Sequence, residues 1–282
     1  MPEMMVNGAK INYEEIGSGN AVVVLTPGGR SDMESVRGLG ERLASRYRVI
    51  LYDRRNCGAS DVVIEGDISE HDICADDLNE LLNKLDASPA YLGGGSMGCR
   101  ISLLAAIRYP ETVKGLLLWN VAGGSTATQR LGYNYYEQFI DIALRDGMAG
   151  IIESDFFSER IKQNPSNRDR LLSMTARQFI DVMRTWRSFF TNEDPIIGTV
   201  KEDLQSIVMP SVIVPGTDDI HPTHVGEQLH QILPNSELFP PFFSPEERDA
   251  MQKEDPDGYR DAGHERAAAI YLPFLEKLEG SQ

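Results

Sequence analysis

The sequence predicts an α/β fold, a mostly parallel, doubly wound sheet with an inserted helical cap. Three observations carry that expectation. Short apolar, β-branched runs without alternation, Ala21 to Leu25 and Arg48 to Tyr52, read as strands covered on both faces. Stretches with helical spacing alternate with these and further short runs, so strand, helix and strand follow one another. The rhythm then stops after Gly123-Gly124-Ser125, and helical patterns alone continue to about residue 204.

The elements follow in order. Met4 to Val6 and Ile11 to Glu15 precede the Gly17-Ser18-Gly19 turn and read as an antiparallel edge. After the Ala21 strand, Met33 to Ser45 places Val36, Leu39, Leu43 and Ala44 on one helical stripe, and the Arg48 strand follows. Ser69 to Leu85 is an acidic amphipathic helix, Ala90 to Gly93 a strand, Met97 to Tyr109 a helix closed by Pro110, and Val113 to Val121 another strand. The cap, 125–204, is rich in aromatics; ordinary packing accounts for most of them, while Tyr136 and Trp186 are candidates to line an apolar pocket beneath it. Ser211 to Val214 resumes the sheet, Thr223 to Ile232 is a helix and Glu237 to Phe239 a last strand. A final helix, Ala267 to Leu278, packs on the core despite Pro273. The organisation is thus a core in two parts, 1–124 and 205–282, around the cap.

Composition bounds the function. With 282 residues, 41% of them hydrophobic and 25% charged, the chain can bury a sizeable core and is not of disordered composition. Its 27 Lys and Arg against 43 Asp and Glu leave a net charge of −16, which opposes nucleic acid and anionic membrane surfaces. The apolar run Leu103 to Ile107 falls far short of the ~20 residues that span a bilayer. Met1 to Met5 has neither a basic nor an apolar leader region, so a cytoplasmic location is expected. Cys57, Cys74 and Cys99 form no CxxC or zinc pattern and are expected as reduced thiols. A small-molecule substrate is the expected partner; neither a metal nor a cofactor is called for, and a homodimer is left open.

The most specific local signal is Gly94-Gly95-Ser96-Met97-Gly98, a G-x-S-x-G between an expected strand and an expected helix. A nucleophile on so sharp a turn requires small neighbours where strand and helix approach. The turn projects the Ser96 hydroxyl from the sheet. It also places the Met97 N–H at a helix start, where an unpaired donor and the helix dipole can meet a developing oxyanion.

With these motifs the chain resembles the α/β-hydrolase superfamily over nearly its full length. Leu25-Thr26-Pro27-Gly28-Gly29 stands where that family has its oxyanion loop, and Asp53 to Ser60 is similar to its D-x-R-G-x-G-x-S segment. Pro27-Gly28 replaces the family's His-Gly pair and Asn56 its glycine. The resemblance implies an α/β-hydrolase fold, with Gly29 as the second oxyanion donor and Gly28 or Arg30 as alternatives. A serine hydroxyl needs a base, and the base needs an acid to orient it. Gly216-Thr217-Asp218-Asp219 is similar to the family's G-x-x-D acid loop, which implies Asp219 as acid and Asp218 as runner-up. The family order of serine, acid and histidine implies His264, beyond the last strand, as base. His221 and His224 follow the acid closely and read as pocket-rim or helix-start residues, and His71 and His230 as structural side chains on helices. The segment Pro240 to Gly263 is longer than the family usually has there; a second lid element and a solvated excursion are both open.

The expected activity is that of a serine hydrolase acting on a small to medium apolar ester or lactone through an acyl-enzyme. An alternative is a carbon–carbon bond hydrolase of aromatic ring-fission products, in which Arg184, or Arg177 or Arg187, would face a substrate carboxylate. A ligand-binding protein that kept the fold without turnover is the alternative from another class.

Overall fold

The computed structural model describes residues 2–191 and 193–280. The chain begins with the hairpin of β1 (Glu3–Val6) and β2 (Ala9–Ile16), joined at Asn7-Gly8, both with positive φ. That Asn-Gly pair suits a tight hairpin turn whose twist matches its strands. The remaining strands are β3 (Val22–Thr26), β4 (Arg48–Tyr52), β5 (Ala90–Gly95), β6 (Val113–Trp119), β7 (Ser211–Val214) and β8 (Ser236–Leu238). They form one eight-stranded sheet of order β1-β2-β4-β3-β5-β6-β7-β8. β2 pairs antiparallel with β4, and every pairing from β4 to β8 is parallel.

Alternation along the strands divides the core in two. Val23, Leu25, Val49 and Leu51 pack with Val36 and Leu39 of α1 (Glu34–Leu43) and with Tyr271 and Leu275 of α12 (Pro256–Glu279). Val22, Val24, Ile50 and Tyr52 face the other way, onto Leu78 and Leu82 of α2 (Glu70–Lys84) and Ile101 of α3 (Met97–Arg108). Each fully buried aliphatic side chain contributes about 1.5–3 kcal/mol. Both faces are therefore needed, which is why the central strands read as unbroken apolar runs.

Between β6 and β7 the chain forms α4 (Gly124–Gly132), a π-helical turn (Tyr133–Glu137), α5 (Gln138–Glu153), α6 (Asp155–Gln163), α7 (Ser166–Leu172), α8 (Ala176–Ser188) and α9 (Lys201–Gln205). None of its described residues joins the sheet. Phe157 centres this insertion, its ring 5.1 Å from Phe139, 4.9 Å from Phe156 and 5.9 Å from Phe179.

The C-terminal region differs from the sequence expectation. After α10 (Thr223–Ile232) and β8, the segment left open between a lid element and a solvated excursion contains α11 (Pro245–Glu254), and α12 starts at Pro256 rather than near Ala267. Two capping signatures explain it. Ser244 accepts the Glu247 N–H and Asp255 accepts the Gly258 N–H, each just before a proline at the first helical position. His264 consequently lies inside a helix.

Candidate active site

Ser96 joins β5 to α3 with φ 54° and ψ −112°, a conformation that costs a side-chain-bearing residue about 1–3 kcal/mol. Its N–H anchors the turn on the carbonyls of Trp119 and Asn120, both at 3.1 Å. The flanking glycines are dictated by contact: a Cβ on Gly94 would lie 2.2 Å from the Gly98 carbonyl carbon, and one on Gly98 2.2 Å from the Thr26 oxygen.

The Ser96 hydroxyl meets His221. Its Oγ is 2.8 Å from His221 Nε2, and His221 Nδ1 is 2.9 and 3.0 Å from the two carboxylate oxygens of Asp218. A carboxylate only accepts, so Nδ1 carries the ring proton and Nε2 offers its lone pair to the serine. Asp218 is held by its own turn: Oδ1 accepts the N–H groups of Ile220 at 2.8 Å and His221 at 2.9 Å, while the Asp218 carbonyl accepts His221 N–H at 3.2 Å. Burial pushes the Asp218 carboxyl up, but the His221 ring and these backbone donors outweigh it and lower it to about 2. The carboxylate is thus ionised throughout the neutral pH range.

The pairing implied by the family order does not form. Asp219 is 84% exposed and its nearest cation is Arg130, at 3.8 Å. The His264 ring packs against α1, its Nε2 donating to the Ser35 carbonyl at 3.1 Å. Both assignments are corrected by one physical cause. A turn brings residues three apart together, so Asp218 and His221 complete each other within one loop, while α12 holds His264 against α1. The signal was present as Asp-x-x-His ahead of Pro222; the short separation, read as an objection, is what the turn requires. A cavity of about 170 Å³ is lined by both Asp218 and His264, with Trp119, Asn120, Phe242 and Tyr259 in its wall.

Facing the elbow is the loop after β3. A Cβ on Gly28 would lie 3.5 Å from the Ser96 Cβ, and Gly29 follows with φ 50°. The Gly29 carbonyl accepts Arg54 Nη2 at 2.6 Å, and Arg54 Nη1 donates to the Met97 sulfur at 3.0 Å. Met97 opens α3, where the backbone N–H has no acceptor within the helix. The side chain of Arg30, next in this loop, is buried in an ion pair with Glu70 at 2.8 Å.

In the insertion, Tyr136 and Trp186 are fully buried, their rings 6.3 Å apart, and the Tyr136 hydroxyl donates to Glu70 at 3.0 Å. Arg184, read from the sequence as a candidate to face a substrate carboxylate, is exposed on α8, away from the buried Tyr136 and Trp186. Arg177 is 91% exposed and Arg187 pairs with Glu137. Sequence reasoning singled out neither Arg54, within the Asp53 to Ser60 segment, nor Arg100, within the Met97 to Tyr109 helix, both of which are buried. Among the described residues no cluster of three or more His, Cys, Asp or Glu is placed to hold a metal, and no helix is long and apolar enough to cross a membrane.

Comparison with known proteins adds to this geometry. The family model described as alpha/beta hydrolase fold matches residues 21–241. An uncharacterized hydrolase, YraK, of Bacillus subtilis is 36% identical over 110 residues, 39% of this chain and 40% of that protein. A 2-hydroxy-6-oxononadienedioate/2-hydroxy-6-oxononatrienedioate hydrolase of Burkholderia vietnamiensis is 25% identical over 241 residues, 81% of this chain and 82% of its own. In shape the chain is similar to a thermophilic esterase from Thermogutta terrifontis, with TM-score 0.65 at 19% identity over 99% of each chain. The family model covers well over half of the sequence, so the chain belongs to the α/β hydrolase fold family and is a hydrolase of that fold.

Proposed function

We propose that Ser96, His221 and Asp218 form the catalytic triad of a serine hydrolase that cleaves esters or lactones through an acyl-enzyme. The observation that carries this reading is the unbroken chain of contacts from Ser96 Oγ through His221 to Asp218, at 2.8 and 2.9 Å. Ser96 Oγ attacks the substrate carbonyl carbon while its proton passes to His221 Nε2, and Asp218 stabilises the imidazolium that forms. The carbonyl electron pair moves onto oxygen, where the Met97 N–H and an N–H of the Gly28-Gly29 loop receive it. His221 then returns the proton to the departing alkoxide, leaving the acyl-enzyme. Water repeats the sequence, its proton passing through His221 back to Ser96. The helical insertion, 124–205, acts as the cap that screens these steps from solvent.

A fluorophosphonate probe tests the nucleophile: labelling should map to Ser96 and vanish in Ser96→Ala, while an unlabelled wild-type protein would remove the reading. A second reading, carbon–carbon bond hydrolysis, is supported by the Burkholderia relative matched over 81% of this chain. Turnover of a vinylogous 1,5-diketone acid beside simple methyl esters separates the two.

A further inference from the structure

Beside Ser96 lies a buried cationic cluster that the triad does not use. Arg100 has no exposed surface, and none of its three guanidinium nitrogens has a hydrogen-bond partner among the described residues. Arg54 is also buried and keeps an unpartnered Nε, as does His71 with its Nε2. Among the described residues, of the cations Arg30, Arg54 and Arg100 only Arg30 meets a carboxylate, that of Glu70. Burial, followed by the guanidiniums of Arg100, Arg54 and Arg30, holds the His71 imidazole well below its ordinary value, so it stays neutral at pH 7.

One aromatic ring connects these groups. Phe190 has the Arg100 guanidinium 5.5 Å from its centroid and the rings of His71, Tyr136 and Tyr135 at 5.3, 5.3 and 6.2 Å. Tyr135 in turn reaches the oxyanion loop, its hydroxyl 3.7 Å from where a Gly29 Cβ would stand. Arg54 touches both Gly29 and Met97. Arg100 begins the next turn of α3 after the nucleophile, its N–H on the Ser96 carbonyl at 3.3 Å. A path of direct contacts thus runs from the elbow to the unpaired guanidiniums.

An unpaired buried guanidinium is among the most unfavourable groups a protein can hold, and its positive fork fits a planar carboxylate. Resting on the serine-hydrolase reading above, we propose that Arg100 and Arg54, walled by Tyr135, Tyr136 and Phe190, receive a carboxylate of the substrate, so that the preferred substrates are esters or lactones bearing a second, ionised carboxyl group. The source of binding is charge and a flat shape rather than chain length.

The experiment compares monomethyl esters of four- to six-carbon dicarboxylic acids with methyl esters of the matching monocarboxylic acids. In wild-type protein kcat/KM should favour the carboxylate-bearing ester by roughly 30-fold or more, and Arg100→Met should collapse that ratio toward unity. The ratio is the readout, because a general loss of folding or of triad geometry lowers both rates together. Glutarate should also raise the Tm of the wild-type protein and not that of Arg100→Met. A wild-type ratio near one, or an unchanged ratio in Arg100→Met, overturns the proposal. Stabilisation by chloride or phosphate with none by glutarate overturns it too, leaving a site for a structural inorganic ion. Ser96 labelling by the fluorophosphonate stands apart from these results, so a failed hydrolase reading is distinguished from a failed carboxylate site.

Discussion

Asp218 and His221 stand at the two ends of a single turn, and the imidazole Nδ1 of one lies 2.9 Å from the nearer carboxylate oxygen of the other. The adjacent Asp219 points to solvent. Asp218→Asn should keep the turn but favour the wrong imidazole tautomer, lowering kcat by up to ~10⁴-fold. Asp219→Asn should cost less than about tenfold. Steady-state kinetics of both variants on one ester measure the contrast, and equal losses would contradict the geometry.

His221→Ala should reduce kcat by ~10³-fold or more, since it removes the only ring that reaches Ser96 Oγ among the described residues. His264→Ala should act through packing instead. Its ring fills the space beside Gly38, where a Cβ would lie 2.6 Å from His264 Nδ1. The expected result is a lower Tm with kcat within a few-fold of wild type. A collapse of kcat in His264→Ala without loss of Tm would reinstate His264 as base.

Acid should weaken the fold in two separate windows. Burial, chiefly, and then the Arg42 guanidinium lower the His264 imidazole below 6.5, although the Ser35 carbonyl raises it. The unfolded chain therefore takes up that proton first, and the contribution of neutral His264, complete above about pH 6.5, declines as the pH falls below it. Asp218, lowered from 3.8 to about 2, contributes fully above about pH 4 and is lost as the pH falls through 2. Urea midpoints measured from pH 8 to 5 should drop in wild-type protein and drop less in His264→Gln. Parallel curves for the two proteins would deny His264 this role.

The thiols should be inert in the folded protein. Cys57, Cys74 and Cys99 are free and buried, and burial pushes the Cys99 thiol up to about 12. Titration with a disulfide reagent at pH 8 should be slow in buffer and rapid for all three in urea. Fast reaction of a native thiol would show that the core around α2 and α3 opens readily.

Several features of this protein were settled by the sequence alone. The buried strands, the helices between them and the serine at the elbow follow from short-range physics: side-chain periodicity, proline and glycine geometry, and the sterics that admit only glycine at Gly94 and Gly98. Even the unexpected α11 and the early start of α12 carried their capping residues in plain view. What only the tertiary structure decided is which side chains meet. Ser96 and His221 are 125 positions apart, and although the Asp218-x-x-His221 turn is written locally, it does not say that this ring rather than His264 will arrive at the nucleophile. The sheet order places the loop after β7 beside the elbow, while the packing of α12 on α1 draws His264 to the Ser35 carbonyl. Arg100 shows the same division, since the sequence only places it within a helix, and it is the fold that buries it without a hydrogen-bond partner among the described residues. Local preference is written in neighbouring residues, but partnership is a property of the packed chain, because it depends on distances that exist only after the sheet and its helices have closed.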